Sequence, residues 1–457
     1  MYSYKSPAAL TTVPALSSEP WNARSLSVRR RRLSIPQIWL LVAIFQVPFF
    51  RSTFSIAGVQ YDSTDVLLLP LLLYLALNRS LRSRFFRTPR LGLWIAYGAI
   101  LSIAYLRFAL EMDWISSPVA ASFQLYRYAW KPLLFYPLIF AVFQDRQGLK
   151  IVSHVFMLIA LTVAIMGIQQ GYSGLAVTGP FGHKNEFAGF LLIPVSLALA
   201  LGCYPASSKE RIFYGLCFLL VVRALLFSQS RGAIAGWFVS LLCFGVVSAY
   251  TKEGRKRLPL LFLGALFSVT TILAAVVFFN KGASLSHYHD LIAPTKADNM
   301  TWRVQERWPN FFQKIAGNPW LGVGTDVEPS FGRDTNTPHN AYLAMAVKSG
   351  IPSLLAFLSF VVIALRRSVF VIRSSRDKWL RWPAAGILSA IVALSIHSLV
   401  DGILSNPLTQ TFFWVLLAWS TVAAVNTRNE NRAGGNARRT PCSAFMPVFA
   451  RYSALQK

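Results

Sequence analysis

The sequence predicts an all-α integral membrane protein with about twelve transmembrane helices and one large outer loop that contains short helices. Three observations lead to that fold class. Of the 457 residues, 54% are hydrophobic and only 14% are charged, against about 25% charged in ordinary soluble domains. Apolar windows long enough to cross a bilayer recur along the chain, and the mean hydropathy is +0.46. The charge is lopsided, with 45 Lys and Arg against 18 Asp and Glu for a net +27, and the basic residues gather in alternate connections between the windows, as the positive-inside rule requires. The positive excess is therefore read as topology rather than as a nucleic-acid footprint, and a soluble globular enzyme is disfavoured.

The elements follow in order. Residues 1–32 read as a basic cytoplasmic segment, because Met1 to Val28 hold Pro, Ser and Thr without an apolar core and Arg29 to Arg32 follow directly. That order is wrong for a cleaved signal peptide and right for the flank of an uncleaved span. Spans one to nine are expected within 33–279, at 33–50, 61–78, 91–108, 130–144, 149–168, 187–203, 212–228, 233–250 and 258–279. The large outer loop takes 280–340, spans ten to twelve follow within 341–425 at 341–365, 382–403 and 409–425, and 426–457 is expected to be a disordered cytoplasmic tail. In this arrangement Arg79, Arg82, Arg84, Arg87 and Arg90, then Arg146 and Lys150, Lys209 and Arg211, Lys252 to Arg257, and Arg366 to Arg381 share the side of Arg29 to Arg32. The connections at 51–60, 169–186, 229–232 and 404–408 are nearly free of basic residues. Cys203, Cys217, Cys243 and Cys442 show no C-x-x-C spacing, so neither a metal knuckle nor a structural disulfide is expected.

Polar side chains that suit chemistry concentrate at three outer places. Thr178-Gly-Pro-Phe-Gly-His-Lys-Asn185 precedes span six, where glycines permit tight turns and Lys184 suits an anion; a plain turn before a helix fits equally. Ser228-Gln-Ser-Arg-Gly232 is so short that spans seven and eight are expected to form a tight helical hairpin holding Arg231 at the interface. A guanidinium there matches phosphate oxygens, or alternatively snorkels to lipid head groups. Arg223, inside span seven, needs a partner or a wet cavity.

The long loop is the third place. Val304, Trp308, Phe311, Phe312 and Ile315 recur at helical spacing beside a stripe of Arg303, Arg307, Asn310 and Lys314, and Pro309 kinks or begins that helix. Asn318-Pro-Trp-Leu-Gly-Val-Gly-Thr-Asp326 follows and lacks the Lys-Ser/Thr ending of a P-loop. The loop closes on Thr337-Pro-His-Asn-Ala-Tyr342, which puts Pro338 in the first turn of span ten and His339 and Asn340 near its start. A helix N-terminus favours anions and keeps a histidine neutral, able to accept a proton. His397 and Asp401, four residues apart in span eleven, suit a hydrogen-bonded pair of functional or purely structural purpose.

Taken in order, Gly-Pro-Phe-Gly-His-Lys-Asn, Ser-Gln-Ser-Arg-Gly, Arg303 upstream of Asn-Pro-Trp-Leu-Gly-Val-Gly, and Pro-His-Asn-Ala-Tyr-Leu resemble the O-antigen ligase and O-antigen polymerase superfamily, most clearly over about 175–365. His339 and Gly350 are separated by ten residues, similar to a spacing of the polymerase branch, while Arg231 and Arg303 lack the matching Arg-ten-Gly spacing. The resemblance implies a GT-C-like membrane glycosyltransferase in the bacterial inner membrane, with both termini cytoplasmic and its site at the periplasmic face. Its donor would be an undecaprenyl-diphosphate-linked glycan and its acceptor a lipid A core in ligases or another lipid-linked repeat in polymerases. Exopolysaccharide or another polymer is as compatible as O-antigen, and a polysaccharide assembly complex is a further partner. Carried over by residue, Arg231 and Arg303 hold the donor diphosphate, His339 is the essential catalytic histidine, and Lys184, Asn340 and Tyr342 support them.

No cofactor is expected, nucleic acid is disfavoured because topology accounts for the charge, and no metal is expected because no outer cluster of Asp and Glu resembles a magnesium cage. Two arginines can stabilise charge on a leaving diphosphate, although Asp290, Asp326, Glu328 and Asp334 in the loop keep a cation in consideration. Attack opposite the leaving group would invert the anomeric carbon. The competing readings are a multi-span transporter of a small anion or lipid-linked substrate, which buried Arg, His and Asp would also suit, and a passive scaffold for polysaccharide assembly.

Overall fold

A computed structural model describes residues 33–49, 54–56, 59–61, 63–111, 122, 125–173, 177–203, 207–249, 255–256, 303–324 and 338–433. The helices are α1 (Ile35–Gln46), α2 (Ser63–Leu77), α3 (Arg79–Phe86), α4 (Leu91–Glu111), α5 (Lys131–Val142), α6 (Arg146–Tyr172), α7 (Lys184–Cys203), α8 (Ser208–Phe227), α9 (Arg231–Ala249), α10 (Trp308–Gly317), α11 (Ala341–Ser374), α12 (Lys378–Val400) and α13 (Pro407–Ala433). Single π-turns, Tyr126–Trp130 and Arg303–Arg307, lead into α5 and α10. Every apolar window of the sequence coincides with one of these helices except 258–279, which lies outside the described residues. Residues 280–302 and 325–337 of the expected loop, with Asp290, Asp326, Glu328 and Asp334, lie outside them too.

The integral-membrane, helical character stands, but the number of spans does not reach twelve among the described residues. Six helices, α6, α7, α9, α11, α12 and α13, are long and apolar enough to cross, or seven if α2 and α3, bent by 100° at Asn78, form one broken span. Helices α1 and α5 and the apolar part of α4 (Leu91–Arg107) are shorter. One departure from all-helix is an antiparallel hairpin, β1 (Phe54–Ile56) against β2 (Val59–Tyr61), whose apolar and polar residues alternate as a short strand requires. The boundary of the expected tail also shifts: residues 434–457 lie outside the described ones, while α13 continues past Asn426 to Ala433. There Asn426 donates to the Gln144 carbonyl at 3.0 Å and the Arg428 guanidinium stacks 5.5 Å from the Phe370 ring.

The two ends of the bundle differ in chemistry. At one end the starts of α6, α8 and α12 meet, through Arg146 to Asp377 at 2.8 Å and Lys150 to Glu210 at 3.0 Å. Such part-exposed pairs add little stability, yet they show that three of the basic connections share a face. At the other end lie the starts of α7, α9, α11 and α13 and the close of α12. Helices α7, α12 and α13 are the most enclosed spans, 83%, 72% and 89% buried, so the elements around that second end stand on the interior of the bundle.

Two local devices set its geometry. Helix α9 packs along α12 and α7 and barely touches α8, so the tight α8–α9 hairpin expected from the short Ser228–Ser230 link does not form. The reason is a small-residue seam, Gly232, Gly236 and Ser240. A Cβ at Gly236 would sit 2.8 Å from the Ala393 carbonyl oxygen, and the Ser240 and Ser196 hydroxyls meet at 2.7 Å. Helix α11 breaks at Gly350, whose φ of 80° and ψ of 169° interrupt an otherwise continuous run. The Asn318–Gly324 segment docks into that break, with Ile351 N donating to Pro319 O at 2.8 Å, Val323 N to Val347 O at 2.8 Å and Gly324 N to Lys348 O at 3.1 Å.

Candidate active site

The last turn of α12 is where the sequence motifs meet. A helix ends with four carbonyls lacking intrahelical partners, and here they recruit side chains from far along the chain. Arg303 Nη1 donates to the Val400 carbonyl at 2.7 Å, and Asn340 Nδ2 donates to Leu399 O at 3.1 Å. The Tyr342 hydroxyl donates to Ser395 O, one turn deeper, at 3.1 Å. A cation near a helix C-terminus is electrostatically favoured, so Arg303 sits well there. Beyond the helix, Asp401 is extended, accepting from Gly402 N at 2.7 Å through Oδ1 and from the Asn185 amide through Oδ2.

Arg231 is the first residue of α9 and is exposed. Its neighbour Gly232 is pressed onto the same α12 turn, where an added Cβ would lie 2.5 Å from Val400 Cγ2 and 2.8 Å from His397 Cδ2. The approach is fixed by Ser228 Oγ, which donates to Leu225 O at 2.6 Å and accepts from Ser230 N at 3.3 Å, and by the left-handed φ of 53° at Gln229. His397 is buried, and its Nε2 lies 3.5 Å from Ser230 Oγ. His397 and Asp401 thus each bond to a different motif, joined to one another only by the backbone bond from Asp401 N to His397 O among the hydrogen bonds of the described residues.

His339 stands two residues before α11, in the left-handed region at φ 47°, and is half-buried. The helix cap is Asn340, whose Oδ1 accepts from Tyr342 N and Leu343 N at 3.0 Å each. Pro338 therefore precedes the helix rather than entering its first turn, because an asparagine at the N-cap satisfies the first orphan donors better than a proline ring can. Trp308 Nε1 donates to Pro338 O at 3.0 Å and so ties the start of α10 to His339. Pro309 begins α10 rather than kinking it. Its stripe is split: Phe311 packs with Leu343 and Val347, while Val304 and Phe312 remain exposed.

The Gly-Pro-Phe-Gly turn is built by Gln170, a residue the sequence did not single out, whose Oε1 accepts from Thr178 N at 3.0 Å and Gly179 N at 2.7 Å. Phe181 is core, Lys184 is exposed at the start of α7, and Asn185 reaches Asp401. Arg223 finds its partners in rings, 5.1 Å from Tyr172 and 5.4 Å from Phe227. No group of three or more His, Cys, Asp or Glu placed to hold a metal ion occurs among the described residues.

Residues 216–358 match the family model described as O-antigen ligase. That segment is similar to the O-antigen ligase family and supports the O-antigen ligase and polymerase superfamily. No curated protein matches the chain significantly. The matched O-antigen ligase segment holds Arg231, Arg303, His339, Asn340, Tyr342 and Gly350, and it ends before α12. The turn that collects those residues, with His397 and Asp401, therefore lies outside the match, as do Lys184 and Asn185. Sequence reasoning noticed His397 and Asp401 by their spacing but missed their partners, since nothing in a linear pattern says that Ser230 and Asn185 stand beside them. Together these features support a membrane-embedded enzyme of the O-antigen ligase and polymerase type.

Proposed function

We propose that the protein transfers a glycan from an undecaprenyl-diphosphate-linked donor to an acceptor hydroxyl, as an O-antigen ligase or a polysaccharide polymerase. The observation that carries this reading is the convergence of Arg303, the start of α9 at Arg231 and the His339–Asn340 cap on the last turn of α12. Three helix N-termini, those of α7, α9 and α11, meet there, and backbone N–H groups at such ends favour phosphate oxygens. Arg231 and Arg303, with Lys184 at the rim, would hold the diphosphate, and Asn340 and Tyr342 would fix the scaffold around His339.

In the reaction, the acceptor oxygen attacks the anomeric carbon as the bond from that carbon to the diphosphate oxygen breaks. The electron pair leaves with the lipid diphosphate, whose growing charge the fixed arginine and N–H donors stabilise more than the ground state. His339 takes the hydroxyl proton. Attack from the face opposite the leaving group inverts the configuration. This scheme asks no metal ion to supply charge, so transfer rates should persist in EDTA.

We place this end of the bundle at the periplasmic face, and the end of Arg146, Asp377 and Lys150 in the cytoplasm, on the distribution of basic residues. Cysteine labelling from either side of intact cells tests the placement. The function is tested with purified protein in proteoliposomes carrying a lipid-diphosphate glycan. Transfer that disappears in folded Arg231→Ala, Arg303→Ala and His339→Ala proteins is expected. Uptake of a labelled solute without donor lipid would overturn the reading in favour of a transporter, and polymer production that survives all three substitutions would leave a scaffold. In a deletion strain, single repeats on the acceptor indicate a polymerase, and full polymer stranded on its carrier indicates a ligase.

A further inference from the structure

At the opposite end of α11 lies a second concentration of positive charge that the proposed reaction does not use. Helix α2 turns by 100° into the short α3, whose Leu81 and Phe85 are buried while Arg79, Arg82 and Arg84 are exposed. Arg82 closes the end of α2 by donating to Ala76 O at 2.7 Å. The chain then passes through Arg87, Thr88, Pro89 and Arg90 into α4. Thr88 is locked by its hydroxyl on Phe85 O at 2.7 Å, and Arg90 takes a left-handed φ of 69° that a side chain rarely adopts. Arg87 and Arg90 are both exposed.

This turn is joined to a third arginine through one buried hydroxyl. Tyr136, on α5 and fully buried, donates to Pro89 O at 2.5 Å and accepts from Arg367 Nη1 of α11 at 3.3 Å. The other acceptor for Arg367 Nη1 is the Thr421 hydroxyl of α13. Arg367 is half-buried, and among the described residues no carboxylate pairs with it, with Arg87 or with Arg90. A guanidinium held by two neutral hydroxyls keeps its full charge, and five donors in a rigid fork exceed what two hydroxyls accept. The strained Arg90 backbone is the kind of local cost that persists at a binding site, where glycine would otherwise serve.

We propose that Arg87, Arg90 and Arg367 form a binding site for the phosphodiester of an anionic phospholipid, seated at the membrane surface between the α3–α4 turn, α5 and α11. The occupant follows from chemistry. Three unneutralised guanidinium groups call for an anion, and basic pockets between membrane helices at the basic face recruit anionic head groups. The acyl chains find exposed apolar side chains close by, among them Phe86 at 64% exposure and Ile95 at 47%. The site would add a tie at the basic face between the α3–α4 turn and α11, which already meet deeper in the bundle where Tyr97 of α4 packs on Phe357 and Phe360.

The test uses full-length protein, delipidated in neutral detergent, with the apparent unfolding temperature followed while dioleoyl-phosphatidylglycerol, dioleoyl-phosphatidylcholine or inorganic phosphate is added. Phosphatidylglycerol should raise the temperature saturably and phosphatidylcholine should not. Each arginine removed should weaken half-saturation about five-fold, in Arg367→Gln and in Arg90→Gly. Arg90→Gly keeps the test decisive if Arg367→Gln fails to fold, because glycine relieves the left-handed φ and should leave the lipid-free protein as stable or more so. Arg367→Lys should retain part of the response. Equal stabilisation by phosphatidylcholine, saturation by inorganic phosphate at matched concentration, or a native response in Arg90→Gly would each overturn the proposal.

Discussion

Gly350→Ala should separate the Asn318–Gly324 segment from α11 and disable the site from a distance. The added methyl would lie 2.2 Å from the Trp320 carbonyl oxygen, 2.4 Å from its carbon and 2.9 Å from Leu321 N, all backbone atoms that no rotamer change can move. The residue also occupies φ 80°, ψ 169°, a region essentially reserved for glycine. Backbone strain of about 1–3 kcal/mol and overpacking of about 1–3 kcal/mol compete with three docking hydrogen bonds of about 1 kcal/mol each, so undocking is the cheaper response. Once the segment leaves, α10 loses one of its anchors and keeps the packing of Phe311 on Leu343 and Val347, so the placement of Arg303 and of Trp308 against Pro338 loosens. The measurements are the apparent unfolding temperature in detergent and the donor KM in a glycan-transfer assay. A control, Gly317→Ala at the end of α10, meets nothing within 4 Å and should behave as native. If Gly350→Ala matched Gly317→Ala in both readouts, the docking argument would be wrong.

The same segment is gripped from the other side by Arg107 of α4, which donates to Gly322 O and Asn318 Oδ1 at 3.0 Å each. Arg107→Ala should destabilise the protein by about 2–3 kcal/mol, with Arg107→Lys recovering only part, since an ammonium cannot reproduce the two-pronged geometry; denaturation curves of the two variants decide it. Gly232→Val forces side chain against Val400 and His397 and should cost about 1–3 kcal/mol, with transfer falling more than stability because Arg231 is displaced; equal losses would remove the positioning role. Asn340→Asp keeps the helix cap but cannot donate to Leu399 O, so unfolding should move by less than about 1 kcal/mol while kcat drops, and unchanged kcat would show that the bond does not shape the site.

The helices were legible because bilayer-length apolar runs announce themselves, and their ends were less so. The window 341–365 stopped at Arg366 and Arg367 on hydropathy, yet α11 runs to Ser374, because arginine is a good helix former whose head can leave the apolar zone. Helix α9 was found but its partner was not: the brevity of Ser228–Ser230 suggested α8, whereas Gly232, Gly236 and Ser240 send it to α12. Spacing hinted at Gly350 without giving its reason, which is a close approach from Trp320, thirty positions upstream. His339 and Asn340 were placed beside a helix start, but which of them capped it depended on competition for two N–H groups that a string of letters does not rank. The role of α12 was the least legible, because its contribution is mostly carbonyl oxygens, which every residue has.

Those carbonyls also bear on why a helix C-terminus belongs in a site proposed for phosphate. Its partial negative charge is about half a unit, and three helix N-termini of opposite sign outweigh it by roughly one positive unit before any side chain counts. The carbonyl of Val400 therefore sacrifices little potential while it fixes the plane of Arg303, and Leu399 O does the same for Asn340. Asp401 is the adjacent carboxylate, and both of its oxygens are directed at neutral N–H donors, from Asn185 and Gly402, so its charge is spread into the scaffold. Donors held this way need no reorganisation when charge arrives on a leaving diphosphate, and that fixed arrangement is the source of most electrostatic stabilisation in enzymes. An arginine merely snorkelling to lipid would be anchored by its stem and left to rotate. Arg303, pinned by its head to a helix end, fits the proposed diphosphate role better than a snorkelling one.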